Sequence, residues 1–226
     1  MRTGESGSAE ADEGAAPPAP RLSGRRAEAA VNDTRVLAAA REVLTVAPDT
    51  PMAEIAARAG VGIGSLYRRF PSKEALAYRL CLDGMNALAD VARRALAAIE
   101  TEGPWETFVW FLSAAVQAGA GSLRGLAGTF TPDDDLNRVA VDMAALMQQV
   151  IERAQAAGAV RDDVTTNDVG LFFEMLRAIR VGDTARSDAL RQRYIEILIP
   201  AFRAPGENAL TVPPASWAEI SGAWNP

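Results

Sequence analysis

The chain of 226 residues contains no histidine and a single cysteine, Cys81. These two residue types supply most zinc ligands and the base or nucleophile of many hydrolases. Their scarcity excludes disulfide-stapled folds, the usual zinc sites and every catalytic arrangement that depends on histidine. Cys81 lies in a helical pattern, and we interpret it as a buried small residue. We therefore expect a protein that is not an enzyme and that needs no cofactor.

A long, strongly apolar run is also missing. The nearest candidate, residues 107–123, is 17 residues long and uncharged, but it contains Thr107, Ser113 and Gln117. A membrane-spanning helix needs about 20 predominantly apolar residues, so we interpret this segment as a buried core helix. The first residues lack the apolar stretch of a signal peptide. We expect a cytoplasmic protein with no membrane partner.

Strand-type alternation of apolar and polar residues is absent, whereas apolar residues recur at three- and four-residue spacing from Asn32 onward. The sequence therefore predicts an all-α fold. Helices are predicted over residues 32–47, 51–59, 62–70, 73–99, 105–119, 122–129, 136–158, 167–181 and 187–203, with Thr50 as the cap of the second. Residues 1–30 are predicted to form a disordered arm and residues 204–226, with their four prolines, an extended tail.

The net charge of −6 is unevenly distributed along the chain. Residues 21–98 hold 12 basic and 8 acidic residues, a net of +4, whereas residues 99–226 hold 10 basic and 17 acidic residues, a net of −7. A local positive excess is what contact with a polyanion requires. The basic end of the N-terminal arm, RLSGRR, could follow a DNA groove, although a solvated tail is the favoured interpretation.

The segment GVGIGSLYRRFPSKEAL, residues 60–76, places three glycines within five residues. A nucleotide-binding glycine loop follows a buried strand, but the preceding PMAEIAARA has the composition and period of a helix. Two short helices joined by a glycine turn are instead the geometry of a helix-turn-helix unit. Gly60 is expected to end the first of these helices with a positive φ, and Val61 to fill the turn.

The second of these short helices divides into two faces. Leu66 and Phe70, four residues apart, are predicted to point inward. The outward side carries the residues expected to meet DNA, namely Ile63, Gly64, Ser65, Tyr67 and Arg68. Gly64 and Ser65 allow close approach to base edges, and Arg68 can donate to guanine or to phosphate. Tyr67 and Lys73 are suited to phosphate oxygens. A packing unit that never touches DNA is the alternative, but it gives no reason for two poor helix formers on an exposed face.

The segments VLAAAREVL (36–44) and PMAEIAARAGVGIGSLYRRFPSKEAL (51–76) resemble the N-terminal domain of TetR-family transcriptional regulators. The resemblance implies a helix-turn-helix DNA-binding domain at residues 31–76 and a larger helical ligand-binding and dimerisation domain at residues 77–203. It implies phosphate contacts from Thr50, Tyr67 and Lys73 and groove contacts from Ile63, Gly64, Ser65 and Arg68. Arg69 is expected to contact the DNA backbone. The turn TVAPDT (45–50) is shorter than the family's usual form and lacks its glycine.

The resemblance further implies a dimeric regulator, in most of the family a repressor, which a small-molecule ligand releases from a near-palindromic DNA operator. The alternative is a small-molecule-binding helical protein whose DNA-binding motif is non-functional. The last two helices would form the homodimer interface, with Phe173, Leu176, Tyr194 and Leu198 as candidates for its apolar seam. Arg177 and Arg180 could face a carboxylate ligand or acids of the partner subunit, and a surface or dimer contact is favoured.

Aromatic and methionine side chains are concentrated in the second domain, where most of them are expected to be core. The family's use of this interior as a ligand cavity implies an apolar small-molecule effector. The candidate lining is Trp105, Phe108, Phe111, Met143, Met147, Phe172 and Met175. The acidic run Asp133–Asp135 is interpreted as a helix cap rather than a carboxylate metal site.

Overall fold

A computed structural model describes residues 24–126, 128–205 and 209–221, with the backbone alone at residues 24–29, 123, 124 and 221. Within these ranges the chain is helical and forms no strand, which confirms the predicted all-α class. The α-helices are α1 Gly24–Leu44, α2 Met52–Ala59, α3 Ile63–Arg69, α4 Lys73–Ala98, α5 Pro104–Gln117, α6 Asp134–Ala156, α7 Thr166–Arg177, α8 Thr184–Leu198 and α9 Trp217–Ser221. Single 3-10 turns occupy Leu123–Leu126 and Ile199–Phe202.

The later helices begin where short polar side chains precede them. The carboxylate of Asp133 accepts the backbone N–H of Leu136 at 2.8 Å and so caps α6, as its position in the sequence predicts. Thr165 and Asp168 form a reciprocal capping box at the start of α7. Each such cap satisfies a backbone donor that the helix itself leaves unpaired, which is worth about 0.5–2 kcal/mol.

Three segments differ from the prediction. Helix α1 begins at Gly24 rather than at residue 32, because the Arg, Ala and Glu residues that precede residue 32 are good helix formers. The helix expected over residues 122–129 is only a 3-10 turn, since four glycines lie between residues 119 and 128. The tail is not extended throughout, because it contains the short helix α9. Residues 1–23, most of the predicted disordered arm, lie outside the described residues.

The buried side chains form two clusters that meet within α4. The small lobe comprises α1–α3 and α4 as far as Met85, and the large lobe comprises α4 from Leu88 onward together with α5–α8. The change from one core to the other thus lies beyond the predicted domain boundary at residue 76. Among the described residues, no helix is both long and apolar enough to cross a membrane.

The connection between α5 and α6 passes between the two lobes. A Cβ added to Gly121 would lie 2.4 Å from the carbonyl oxygen of Phe173 on α7, and one added to Gly125 would lie 2.5 Å from the carbonyl oxygen of Thr45, just after α1. Leu126 then places its side chain, 1% exposed, in the small core. The segment therefore packs closely against both lobes.

A second link joins the lobes at the start of α6. The hydroxyl of Tyr78 on α4 lies 3.0 and 3.1 Å from the two carboxylate oxygens of Asp133. Mainly through its bond from the backbone N–H of Leu136, and also through that from Tyr78, Asp133 has a pKa below its ordinary value. Next to this bond, Leu136 contributes to the small core. The first turn of α6 is thereby fixed to α4.

Candidate nucleic-acid interface

The turn between α2 and α3 depends on one left-handed residue. Gly60 ends α2 with φ 66° and ψ 33°, and the following N–H of Val61 donates to the carbonyl of Ala56 at 3.0 Å. A Cβ at Gly60 would meet nothing within 4 Å, so its backbone conformation rather than crowding favours glycine. Val61 packs against the small core. The predicted helix-turn-helix geometry is present.

Helix α3 turns one face inward and the other to solvent. Leu66 and Phe70 are 1% and 6% exposed, whereas Ile63 and Tyr67 are 43% and 48% exposed. Gly64 and Arg68 are also exposed, and Ser65 is half-buried. The structure therefore brings all five residues predicted for the outward side to one exposed or half-exposed surface, which we call the α3 face: Ile63, Gly64, Ser65, Tyr67 and Arg68.

No contact among the described residues explains glycine at position 64. A Cβ there would meet nothing within 4 Å, and its φ is not positive. Alanine would favour the helix by about 1 kcal/mol. The absent methyl group instead leaves room for the surface of another molecule to approach the α3 backbone. Small residues at this place in a recognition helix are what base-edge contact requires.

The positive side chains near the α3 face differ in whether they form hydrogen bonds or ion pairs within the described residues. Arg68 and Lys73 form no hydrogen bond or ion pair with the described residues. Lys73 lies in the first turn of α4, whose cap, Ser72, accepts the N–H of Ala75 at 3.2 Å. Arg69 is engaged, because its Nε donates to Asp33 Oδ2 on α1 at 2.8 Å. Arg69 therefore forms an ion pair between α3 and α1, which its neighbours in sequence did not indicate.

The prediction for Thr50 is corrected by its surroundings. Its side chain is only 8% exposed, and its hydroxyl donates to the carbonyl of Ala47 at 2.8 Å. Pro51 occupies the N-cap position of α2, with no side-chain cap. Thr50 is thus not the helix cap, and its hydroxyl proton is engaged within the turn. Within the short TVAPDT turn, both the hydroxyl and the backbone N–H of Thr50 donate to the carbonyl of Ala47.

The predicted pocket residues gather in the core of the large lobe, with one exception. Phe108 and Phe111 are 0% exposed, Met147 and Phe172 are buried, and Trp105 and Met143 pack against them. The ring centroid of Phe108 lies 6.2 Å from Trp105, 6.5 Å from Phe111 and 5.9 Å from Phe202. Met143 also packs against the small core. The interior of the large lobe is therefore a connected aromatic cluster.

Three residues on α7 differ from their predicted roles because of the way that helix is rotated about its axis. Its inward stripe consists of residues 169, 172, 173 and 176, so Met175 points outward and is 60% exposed. Met175 is therefore not part of an interior pocket. For the same reason Phe173 and Leu176, which are 2% and 1% exposed, belong to the core of the chain and not to a dimer seam. Tyr194 and Leu198 on α8 are exposed, at 44% and 36%.

A helix-turn-helix lobe joined to a larger helical lobe defines a class of DNA-binding regulatory protein. Residues 36–80 match the family described as "Bacterial regulatory proteins, tetR family". Residues 103–203 match "Transcriptional regulator SbtR-like, C-terminal domain". No curated protein matches the sequence.

The chain is also similar to solved structures. The TetR transcription regulatory protein from Mycobacterium vanbaalenii shares 30% identity over 80% of this chain and 99% of that one, with a TM-score of 0.51. The regulator SCO0520 from Streptomyces coelicolor shares 23% identity over 77% and 99% of the two chains, with a TM-score of 0.50. The ketosteroid transcriptional regulator KstR2 of Mycobacterium tuberculosis shares 20% identity over 81% and 97%, also with a TM-score of 0.50. The latter two show a common fold alone.

The chain belongs to the TetR family of bacterial regulators. It is a DNA-binding transcriptional regulator and not an enzyme.

Proposed function

We propose that this regulator is a homodimeric, cytoplasmic repressor that binds a near-palindromic operator and is released from it by an apolar small molecule. The observation that supports specific DNA binding is the α3 face. It joins Gly64, where a Cβ would meet nothing within 4 Å, to Arg68, which is exposed and has no hydrogen bond or ion pair with the described residues. In this proposal Ile63, Gly64, Ser65 and Arg68 meet base edges, and Tyr67 and Lys73 hold phosphates.

The exposed side of α7 and α8 supports dimerisation. On α8, Ile197 and Leu198 lie about one helical turn after Tyr194, and the three are 53%, 36% and 44% exposed. Met175 on α7 is 60% exposed. Apolar side chains grouped in this way on a monomer are typical of an interface. A two-fold symmetric pairing would bury the same patch on both copies. The two α3 helices must then lie about 34–36 Å apart to enter successive major grooves.

The aromatic core supports an apolar effector. Met143 on α6 packs against both cores, so a ligand that moved it would alter how α6 rests on α4. Flexible methionine side chains adapt readily to apolar ligands. Repression would end if the ligand binds better to a state in which the two α3 helices are mis-spaced, and this differential affinity limits the response.

A gel-shift titration with footprinting on the DNA upstream of the coding sequence tests the proposal. Lys73→Ala should weaken binding on all sequences and lower the slope of log affinity against log salt by about 1. Arg68→Ala should cost about 1–3 kcal/mol and relax the preference at one base position. Arg94→Ala is the matched control, because Arg94 is exposed near the other end of α4. Absence of any specific complex at moderate salt would instead favour a helical small-molecule binder with a non-functional motif.

Charge placed on the dimer patch tests the second part of the proposal. Ile197→Glu should yield monomers in sedimentation equilibrium and abolish the specific DNA complex, because burying an unpaired carboxylate is strongly unfavourable. Val141→Glu is the control, since Val141 is 67% exposed on α6, outside this patch. A dimer that survives Ile197→Glu unchanged would place the interface elsewhere on the surface.

A further inference from the structure

Four arginines gather where the end of α7 meets α8 and the small lobe: Arg41, Arg177, Arg180 and Arg191. The most deeply buried is Arg191 on α8, which is 6% exposed. Its Nη2 donates to the carbonyl of Ile179 at 2.9 Å, and its Nη1 donates to Asp188. Its Nε is buried without a hydrogen-bond partner in the described part of the chain. Arg191 is thus held beside the residues that directly follow α7.

Arg41 reaches the same place from α1. Its Nη1 donates to the carbonyl of Ala118 at 3.2 Å, and a Cβ added to Gly119 would lie 2.8 Å from that nitrogen. Two residues later, Gly121 packs against the carbonyl of Phe173, one helical turn before Arg177. The loop that holds Arg41 therefore also touches α7, which brings the charges of both lobes together.

Among the described residues, the charges that act on Arg177 are mostly positive. Arg177 is half-buried and forms no hydrogen bond or ion pair with the described residues. Burial lowers its pKa, and the charges of Arg191, Arg180 and Arg41 lower it further. Asp188 alone opposes this effect, and it is already bonded to Arg191. The partial negative charge at the C-terminal end of α7 can stabilise one positive side chain. Arg191 already donates a hydrogen bond there, to the carbonyl of Ile179.

We propose that Arg41, Arg177, Arg180 and Arg191 form a binding site for the oxyanion group, carboxylate or phosphate, of a small-molecule ligand. Guanidinium groups match both oxyanions in bidentate geometry, and burial strengthens such charge-assisted bonds. The site is separate from the apolar core of the large lobe and takes residues from both lobes. It rests on the proposed function only in that a ligand here would act as an effector, by changing how α1 is held against α7.

Thermal unfolding in Hepes buffer tests the site, with inorganic phosphate and citrate titrated separately against sodium chloride of equal ionic strength. The wild-type Tm should rise with the logarithm of the concentration of at least one anion once this exceeds its Kd, and the more effective anion identifies the chemical source. Arg177→Gln should raise the dissociation constant of the anion roughly ten- to a hundredfold. Without anion, this variant should be at least as stable as the wild type, because a half-buried cation that three others repel has been removed.

Two further variants keep the result interpretable. Arg180→Gln alters an exposed position after α7. It should weaken binding of the same anion without affecting folding. Arg153→Gln is the control, because Arg153 is exposed and pairs with Glu100 at 3.0 Å away from the cluster. It should bind the anion as the wild type does.

Three outcomes would overturn the proposal. The first is no rise in Tm with either anion beyond that in sodium chloride, and the second is an unchanged rise in both Arg177→Gln and Arg180→Gln. The third is an altered monomer–dimer equilibrium in Arg177→Gln with no anion binding, which would assign the cluster to an acidic group of a second copy. A gel shift on the same samples separates the two proposals. If the protein binds the anion but does not bind DNA, the proposed anion site stands and the proposed repressor function is rejected.

Discussion

The two lobes of this regulator use their side chains in opposite ways. The small lobe has a core of mainly aliphatic and alanine side chains, with Phe70 as its one buried aromatic among the described residues. It places its distinctive residues on the outside. The large lobe places its distinctive residues inside, in the aromatic cluster around Phe108. The proposed DNA contacts therefore lie on a surface, whereas the proposed response to an effector would depend on packing.

The largest expected effect comes from opening the aromatic cluster. Phe108→Ala should lower the free energy of unfolding by about 3–5 kcal/mol, because Phe108 is fully buried against three other rings. Urea denaturation followed by circular dichroism measures the loss. Trp110→Ala is the control two residues away, where the side chain is 42% exposed. A cost for Phe108→Ala no greater than that of the control would mean that the large lobe tolerates a void, and the contrast between the lobes would weaken.

A smaller effect is expected where the lobes meet. Gly121→Ala should cost about 1–3 kcal/mol or more, because φ is 78° and the new Cβ would lie 2.4 Å from the carbonyl oxygen of Phe173. Gly158→Ala separates the two causes, since its φ is 68° but its Cβ would meet nothing within 4 Å. Calorimetric Tm values should fall further for Gly121→Ala. Equal losses would show that the loop has room to move away from α7.

The smallest change in stability, and one of opposite sign, is expected on the α3 face. Gly64→Ala should stabilise the protein by about 1 kcal/mol or less while weakening specific DNA binding, because the added methyl group occupies space outside the fold. Gly170→Ala, within α7 and equally uncrowded, should bring the stability gain alone. Denaturation and gel-shift titrations on the same preparations compare the two. Unchanged DNA affinity in Gly64→Ala would remove position 64 from the interface.

The parts of the fold that the sequence predicted correctly depend on short-range rules. The left-handed turn at Gly60, the inward pair Leu66 and Phe70 and the cap at Asp133 each involve residues within one or two helical turns. Sequence spacing and local chemistry determine such features directly. For this reason the helix-turn-helix unit was recognisable before its structure was known.

The parts that were missed depend on contacts between distant residues or on the rotation of a helix. The bond between Tyr78 and Asp133 joins positions 55 residues apart, and that between Arg69 and Asp33 joins positions 36 apart. On α7, a composition rich in aromatics and methionine could not tell Phe172, which is buried, from Met175, which is exposed. Only packing against the rest of the chain settles such choices.

The small core also contains Leu126 and Leu136, which come from the connection before α6 and from the first turn of α6 itself. The DNA-reading lobe is therefore not a self-contained module that ends with α4. A chimeric regulator that joined residues 24–98 to the sensing part of another protein would leave two holes in its core. To exchange the small lobe between regulators of this architecture, the segment that contains Leu126 and Leu136 must therefore be exchanged together with it.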